Sequence, residues 1–193
     1  MTQLRVRMEE QGLPALLVSK RESVYYLSGF SGSAGMLIVA GDVRILVSDF
    51  RYQLQAAREA PAWMFVLAER SLLATVRRLL GELGVDHIGI DTDDITLSTF
   101  SQLGGDDPQA GYALVPASGL VDDMRLVKDA GELEKIRVAV QVTDDAYAHL
   151  VSRVKPGITE GALALEAEWY MRQHGATAAF DIIVAAGENG ALP

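Results

Sequence analysis

The glycine-rich stretch from Gly29 to Gly35 is the first segment of this sequence whose composition suggests chemistry. A phosphate-binding loop of this kind needs a following Lys-Ser or Lys-Thr pair to reach the phosphate and its magnesium ion. Met36 stands there instead. Ser33 also lacks the glycine two residues before it that the nucleophile elbow of a serine hydrolase requires. The residues therefore predict a flexible structural loop and argue against a phosphate site.

Acidic residues of this sequence do not form a metal-binding pattern. Asp91, Asp93 and Asp94 have the spacing that begins a calcium-binding loop. Such a loop needs a glycine at its sixth position and a glutamate at its twelfth, where this sequence has Thr96 and Gln102. We interpret the aspartates as the acidic N-terminus of a helix, where they complement the helix dipole.

Histidines are equally isolated. The sequence contains three of them, none in a His-x-x-x-His or Glu-x-x-His pair: His87, His149 and His174. Isolated histidines are more often exposed or hydrogen-bonded side chains than metal ligands, and we interpret these three in that way. The residues alone therefore predict no complete catalytic apparatus.

Composition and charge narrow the class of protein. The 193 residues are 49% hydrophobic and 22% charged, and the formal net charge of −9 argues against a basic face that binds nucleic acid. The absence of cysteine excludes disulfides and thiolate chemistry. No signal-peptide pattern follows Met1, and no stretch approaches the roughly 20 apolar residues of a membrane helix. We expect a cytoplasmic protein with no nucleic-acid or membrane partner.

Strands alternate with helices over the first two thirds of the sequence, which predicts a mixed α/β domain. Gly41-Asp42 predicts a tight hairpin between two of these strands. The predicted strands cover residues 15–19, 36–40, 43–48, 63–67, 87–91 and 112–115. The predicted helices cover residues 2–11, 22–27, 51–59, 72–83 and 97–103.

The pattern changes after a charged connector at residues 121–125, which predicts a domain boundary there. Asp129 and Glu132 form a capping box, in which each side chain satisfies a free backbone N–H of the first helical turn. Apolar residues at helical spacing then extend a long helix to about Lys155. Thr159 is the predicted cap of a second helix, which ends at Gly175.

The apolar run from Phe180 to Ala185 predicts a strand, because it is short, rich in β-branched residues and followed by glycines. A strand needs neighbours that satisfy its backbone hydrogen-bonding groups. Only a turn-like tail follows this run. We therefore expect this chain to be the truncated front part of a larger protein, with a second, incomplete α+β unit.

Several segments of the sequence resemble a known family. Ser23–Gly35, followed by Ser48–Tyr52, is similar to the creatinase/prolidase-type N-terminal domain, although that family usually has asparagine where Ser23 stands. The later segments resemble, in order and spacing, the proline-specific metallopeptidases of the pita-bread family, Xaa-Pro dipeptidase (prolidase) and Xaa-Pro aminopeptidase. These later segments are Met124–Lys128, Glu132–Arg137, Lys155–Glu160 and Ala179–Pro193.

The resemblance implies a fold and an activity. Residues 1–124 are expected to form a three-layer α/β domain with a mixed sheet, and residues 125–193 the start of an α+β pita-bread catalytic domain. The family implies a hydrolase that cleaves Xaa-Pro bonds in proline-containing peptides with two divalent metal ions of the manganese or cobalt type. It also implies a cytoplasmic homodimer, in which the Phe30–Ser33 loop is expected to contact the partner subunit.

The resemblance also places the catalytic groups. In the family, the catalytic histidine and the metal ligands follow the position of Pro193, so we expect no catalytic residue, no metal ligand and no activity in this chain by itself. Carried over residue by residue, only substrate-binding positions remain. Phe180 and Ile183 resemble the apolar wall of the substrate pocket.

Two alternatives remain open at this point. One is a creatinase-like amidinohydrolase, which uses no metal, and the other is a non-catalytic creatinase-like interaction domain. A histidine and spaced acidic ligands after Pro193 would favour the peptidase over both. The sequence does not distinguish a dipeptidase from an aminopeptidase, and it does not identify the metal.

Overall fold

The computed structural model describes residues 1–191, and in this range the chain forms six strands and eight α-helices. The strands are β1 (Ala15–Val18), β2 (Met36–Ala40), β3 (Val43–Ser48), β4 (Met64–Leu67), β5 (His87–Ile90) and β6 (Ala113–Pro116). The helices are α1 (Thr2–Glu10), α2 (Arg21–Ser28), α3 (Gln53–Glu59), α4 (Leu72–Glu82), α5 (Leu97–Gln102), α6 (Asp122–Leu126), α7 (Ala130–Arg153) and α8 (Glu160–Gln173). Short 3-10 helices cover Phe50–Tyr52 and Gly187–Ala191.

The six strands form one mixed sheet in the order β4-β3-β2-β1-β5-β6. β2 pairs antiparallel with both β1 and β3, whereas β4, β5 and β6 join the sheet through parallel pairs. The β2–β3 hairpin closes at Gly41-Asp42, with Ala40 opposite Val43 and a φ of 53° at Gly41. The predicted hairpin is confirmed, and the parallel pairs use the helical crossovers that such pairs require.

Apolar side chains cover both faces of the sheet. Along β1, Leu16 and Val18 belong to one buried cluster, and Ala15 and Leu17 belong to another. This alternation follows from the pleat, because successive residues of a strand point to opposite faces. The cluster around Leu16 includes side chains of α1, α2, α3 and α6, and the other includes side chains of α4. The predicted three-layer α/β architecture with a mixed sheet is therefore confirmed.

The connector predicted at residues 121–125 is wrong, because this segment forms most of helix α6. Met124 is 6% exposed and belongs to the cluster around Leu16. Asp122 accepts hydrogen bonds from Lys20 and Arg125, and the Lys20 contact is the main cause that lowers the pKa of the Asp122 carboxyl. Burial of Met124 and these ion pairs give the segment a helical structure that its charged composition does not predict.

The chain divides into two compact units, Met1–Val127 and a second unit that begins at Lys128. The boundary predicted between residues 1–124 and residues 125–193 falls inside α6 and stays a prediction. Among the residues that the structure describes, no helix combines the length and the apolar character needed to cross a membrane.

Both helices of the second unit begin at their predicted caps. The Asp129 carboxylate accepts from the Glu132 backbone N–H at 2.8 Å, and the Glu132 side chain accepts from the Asp129 N–H at 2.9 Å. The Thr159 hydroxyl accepts from the Ala162 N–H at 3.2 Å. The capping box of α7 and the cap of α8 are therefore confirmed. α7 ends at Arg153, two residues short of the predicted end.

The strand predicted from Phe180 to Ala185 is wrong, because this stretch has no regular secondary structure. A β-strand exists only where a neighbouring strand exchanges backbone hydrogen bonds with it. Within residues 1–191, no strand pairs with this stretch, so its β-branched composition alone does not produce one. Leu192 and Pro193, the last two residues of the Ala179–Pro193 segment that resembles the metallopeptidases, lie outside the described residues.

Candidate functional site

The two residues predicted to bind substrate, Phe180 and Ile183, lie in the irregular stretch that follows α8. Their side chains are 78% and 84% exposed. A cavity of about 510 Å³ lies between this stretch and α8. Phe180 lines the cavity together with Leu165 and Arg172, whereas Ile183 is not among the lining residues. The structure therefore places one of the two predicted residues at a concave surface.

The cavity combines an apolar wall with a charged rim. Phe180 and Leu165 supply apolar surface, and both side chains are largely exposed. At the rim, the Arg172 guanidinium donates two hydrogen bonds to Glu168 Oε1, at 2.8 and 3.1 Å. Such a surface suits a small ligand that has both an apolar and a charged part.

The irregular stretch is attached to α8 at its two ends. At its start, the Ala176 N–H donates to the Met171 carbonyl at 2.9 Å, across Gly175 with a φ of 74°. At its end, the Ala186 N–H donates to Glu160 Oε1 at 2.7 Å. Glu160 stands in the first turn of α8, so both attachments are to the same helix.

Beside this stretch, α7 and α8 are joined by a stack of aromatic rings. The Tyr170 ring lies 4.8 Å from the His149 ring and 4.1 Å from the His174 ring, centroid to centroid. His149 Nε2 and Glu166 Oε1 lie 2.7 Å apart, and this hydrogen bond is the largest cause that lowers the pKa of the Glu166 carboxyl. Both histidines are hydrogen-bonded, as predicted. His149 packs between α7 and α8, whereas His174 caps α8 and stacks on Tyr170 of the same helix.

The glycine-rich loop of the first unit is built around Phe30. This side chain is fully buried, and its ring lies against the Gly32 backbone so closely that a Cβ there would meet the ring at 2.2 Å. The Tyr52 ring packs edge-on against Phe30 at 5.6 Å, and the Tyr52 hydroxyl lies 2.6 Å from Ser33 Oγ. The chain's own core therefore encloses the Phe30 side chain. The expected contact of the Phe30–Ser33 loop with a partner subunit stays a prediction.

The aspartates near α5 form turns and do not converge on a metal position. Asp91 Oδ1 accepts from the Asp93 N–H at 3.0 Å, and Asp94 accepts from the Ser19 hydroxyl. The cap of α5 is Thr96, so the predicted acidic N-terminus lies just outside the helix. Over residues 1–191, histidine, aspartate and glutamate side chains nowhere gather in groups of three or more that could hold a metal ion.

Comparison with known proteins identifies the first unit. Residues 1–127 match the family described as the creatinase/prolidase N-terminal domain. The chain belongs to this family. Residues 134–193 match metallopeptidase family M24. The two matches follow one another in the order that the sequence motifs predict, and the predicted family relationship is confirmed.

Individual relatives match the chain over nearly all of its length. The peptidase YqhT of Bacillus subtilis (strain 168) is 33% identical over 191 residues, which cover 98% of this chain and 54% of YqhT. The structure of an Xaa-Pro dipeptidase from Bacillus anthracis has a TM-score of 0.88 at 32% identity, and the match covers 100% of this chain and 54% of that one. An X-Pro aminopeptidase from Thermotoga maritima MSB8 has a TM-score of 0.82 at 30% identity, with coverages of 97% and 55%. The chain therefore spans about half the length of these relatives.

Glu160 and Asn189 are the two residues whose connection the sequence analysis missed. The Asn189 side-chain amide donates to Glu160 at 3.0 Å (Oε1) and 2.9 Å (Oε2), across 29 residues of sequence. A glutamate in the first turn of a helix already has a local explanation, because it complements the helix dipole. No spacing rule pairs it with an asparagine so far along the chain, so only the structure reveals the contact.

Proposed function

We propose that the protein to which this chain belongs is a metal-dependent peptidase that cleaves Xaa-Pro bonds, as an Xaa-Pro dipeptidase or an Xaa-Pro aminopeptidase. The observation that carries the proposal is the succession of a creatinase/prolidase N-terminal domain and the beginning of an M24 metallopeptidase domain in one chain. Structures of both kinds of proline-specific peptidase align with the chain over almost its full length.

Two divalent metal ions, of the manganese or cobalt type, belong to this proposal. The described residues do not fit such a pair, because they offer no cluster of three or more ligand side chains. From the resemblance to the proline-specific metallopeptidases, we propose that the metal ligands and the catalytic histidine follow residue 193, and we assign no catalytic residue to this chain. Residues 1–193 alone are proposed to be inactive towards Xaa-Pro peptides.

The contribution of this chain to substrate binding is proposed to be an apolar surface. A proline ring is apolar, and the peptide nitrogen of an Xaa-Pro bond carries no hydrogen, so recognition of this bond depends on shape more than on hydrogen bonding. Phe180 offers such a surface at the cavity beside α8, and Ile183 follows three residues later in the same irregular stretch. Both residues are exposed, which leaves them available to a peptide.

The same proposal extends to organisation and assembly. We assign residues 1–124 to the N-terminal domain and residues 125–193 to the start of the catalytic domain, and we propose a cytoplasmic homodimer. The acidic net charge of −9 argues against a nucleic-acid partner.

Release of proline tests the proposed activity. The assay uses the protein with its natural downstream sequence and added manganese. A dipeptidase should release proline from Ala-Pro. An aminopeptidase should cleave Ala-Pro-Gly to alanine and Pro-Gly, from which a second peptidase then releases proline. Residues 1–193 should release none, and should keep no stoichiometric metal after dialysis. Turnover that accompanies residues 1–193 through purification would place the active site inside this chain. Hydrolysis of creatine and not of Xaa-Pro peptides would support the amidinohydrolase, and hydrolysis of neither would support the interaction domain.

A further inference from the structure

The stretch that carries Phe180 and Ile183 lacks support from its own backbone. Across the described residues, no hydrogen bond involves positions 177–185. A segment of this length without regular structure gains its conformation from its two ends and from side-chain packing. Its first end, at Ala176, is hydrogen-bonded to the last turns of α8. The contacts of its second end, at Ala186, therefore determine the path of the residues between them.

One side chain holds that second end. The Glu160 carboxylate accepts three hydrogen bonds of 2.7 to 3.0 Å, one from the Ala186 backbone N–H and two from the Asn189 amide. The Asn189 N–H in turn donates to the Ala186 carbonyl at 3.2 Å, which closes the turn between the two donors. An ionised carboxylate accepts such bonds more strongly than a neutral group does.

The polarity of this contact is specific. Both partners of Glu160 are N–H donors, and a carboxylate has two oxygens that only accept. A glutamine at position 160 would keep one accepting oxygen and turn its NH2 group towards the Asn189 amide. An alanine would leave both donors without this partner.

We infer that Glu160 is a positioning residue, whose carboxylate fixes the segment 186–189 and thereby holds Phe180 and Ile183 where a peptide can contact them. This role rests on the proposed substrate contacts of those two residues. It assigns Glu160 no contact with substrate or metal. We call the contact between Glu160, Ala186 and Asn189 the clamp.

Amide hydrogen exchange at Ala186 measures the clamp directly. Because hydrogen bonds to charged groups stabilise by more than neutral ones, the Glu160→Ala variant should exchange this amide roughly tenfold faster than the parent. The Glu160→Gln variant should show an intermediate rate. Glu134→Gln is the matched control, since Glu134 is an exposed glutamate of α7 that contacts Arg137, and it should leave the rate unchanged. An unchanged rate at Ala186 in both Glu160 variants would overturn the inference.

Exchanging the charged and neutral groups of Glu160 and Asn189 tests whether the hydrogen bonds of the clamp, and not the loss of one charge, control exchange at Ala186. Asn189→Asp alone places two carboxylates together and should also speed exchange at Ala186. The double variant Glu160→Gln/Asn189→Asp keeps the net charge and lets the glutamine amide donate to the new carboxylate, while its oxygen still accepts from Ala186. Exchange should return to within about threefold of the parent rate. A double variant whose exchange is faster than in either single variant would contradict the clamp.

Kinetics test the link to substrate. In the protein with its natural downstream sequence, Glu160→Ala should raise KM for Ala-Pro-Gly roughly tenfold and change kcat much less, and the double variant should recover KM. Faster exchange at Ala186 with an unchanged KM would overturn the positioning role. A parent protein that cleaves no Xaa-Pro peptide would instead refute the proposed function. Amide exchange at Ala186, and its recovery in the double variant Glu160→Gln/Asn189→Asp, would then test the clamp alone.

Discussion

At Gly32 the missing side chain lets the tip of the Phe30 ring approach the backbone closely. A Cβ at Gly32 would meet the Phe30 ring at 2.2 Å, and a Cβ at Gly35 would meet it at 2.8 Å. Glu59 fixes the same loop, because it accepts from the Ser31 N–H at 2.8 Å, and this bond is the largest cause that lowers the pKa of the Glu59 carboxyl. Glycine richness here serves packing, which explains the loop without any ligand.

Gly32→Ala should therefore destabilise the first unit. The Phe30 ring is fully buried and an added Cβ would meet it at 2.2 Å, so the methyl overpacks the core at a cost of about 1–3 kcal/mol. Urea unfolding followed by circular dichroism should show a lower midpoint. The control is Gly81→Ala on the exposed side of α4, where a Cβ would meet nothing nearer than 4.0 Å. It should stabilise by up to about 1 kcal/mol through helix propensity, and equal effects of the two variants would contradict the packing argument.

At the scale of elements, single polar side chains join segments that are far apart in sequence. His87, at the start of β5, is one of them. Its Nε2 lies 2.8 Å from the Gly12 carbonyl and its Nδ1 lies 2.6 Å from Asp86 Oδ1. Both ring nitrogens face acceptors, so the doubly protonated imidazolium fits the site best. The Gly12 carbonyl, followed by Asp86, raises the pKa of His87 above its ordinary value of 6.5.

This arrangement predicts a loss of stability as the pH rises above about 6.5, the ordinary pKa of histidine. Because the folded state binds the His87 proton more tightly than the unfolded state, the contribution is complete below about pH 6.5 and disappears as the pH rises through the folded pKa. The free energy of unfolding of the parent should fall over that range, and His87→Gln should flatten the fall. Asp86→Asn should move it to lower pH. An NMR titration that gives His87 a pKa at or below 6.5 would refute this account.

At the scale of the whole molecule, the chain consists of two units with different kinds of packing. The first unit encloses a core on both faces of its sheet. In the second unit, α7 carries apolar residues at the predicted helical spacing, and many of them are exposed within the described chain, including Ile136, Val140 and Tyr147. Unit one therefore has the burial that independent folding needs, whereas unit two presents apolar surface on its long helix.

Limited proteolysis should separate the units between α6 and α7. The side chains of Leu126, the last residue of α6, and Val127, which follows it, are 71% and 81% exposed. Thermolysin at low concentration should cut there first and leave a fragment of about residues 1–126 that resists further cleavage and unfolds cooperatively. Mass spectrometry identifies the fragment, and the same digestion in urea is the control, where cleavage should spread over the chain. Early cuts in the Gly29–Gly35 loop would contradict the division.

Much of this molecule follows from its sequence, because the signals involved are local. Alternation along a strand, helical spacing and caps such as Asp129 and Thr159 each depend on residues within a few positions of one another, and the structure confirms them. The hairpin at Gly41-Asp42 is local in the same sense. Membership of the creatinase/prolidase N-terminal domain family is likewise recognisable from short motifs, because their order and spacing along the chain resemble those of the family.

What only the tertiary structure decides depends on residues far apart in the chain. Residues 180–185 have the composition of a strand but no partner within the described residues, and backbone pairing is a non-local condition that composition cannot supply. The burial of Phe30 beneath its own glycines and the burial of Met124 in α6 are settled by the core around them. Glu160 meets its partners across 26 and 29 residues, so the chain must fold before one carboxylate can fix the segment that carries Phe180 and Ile183.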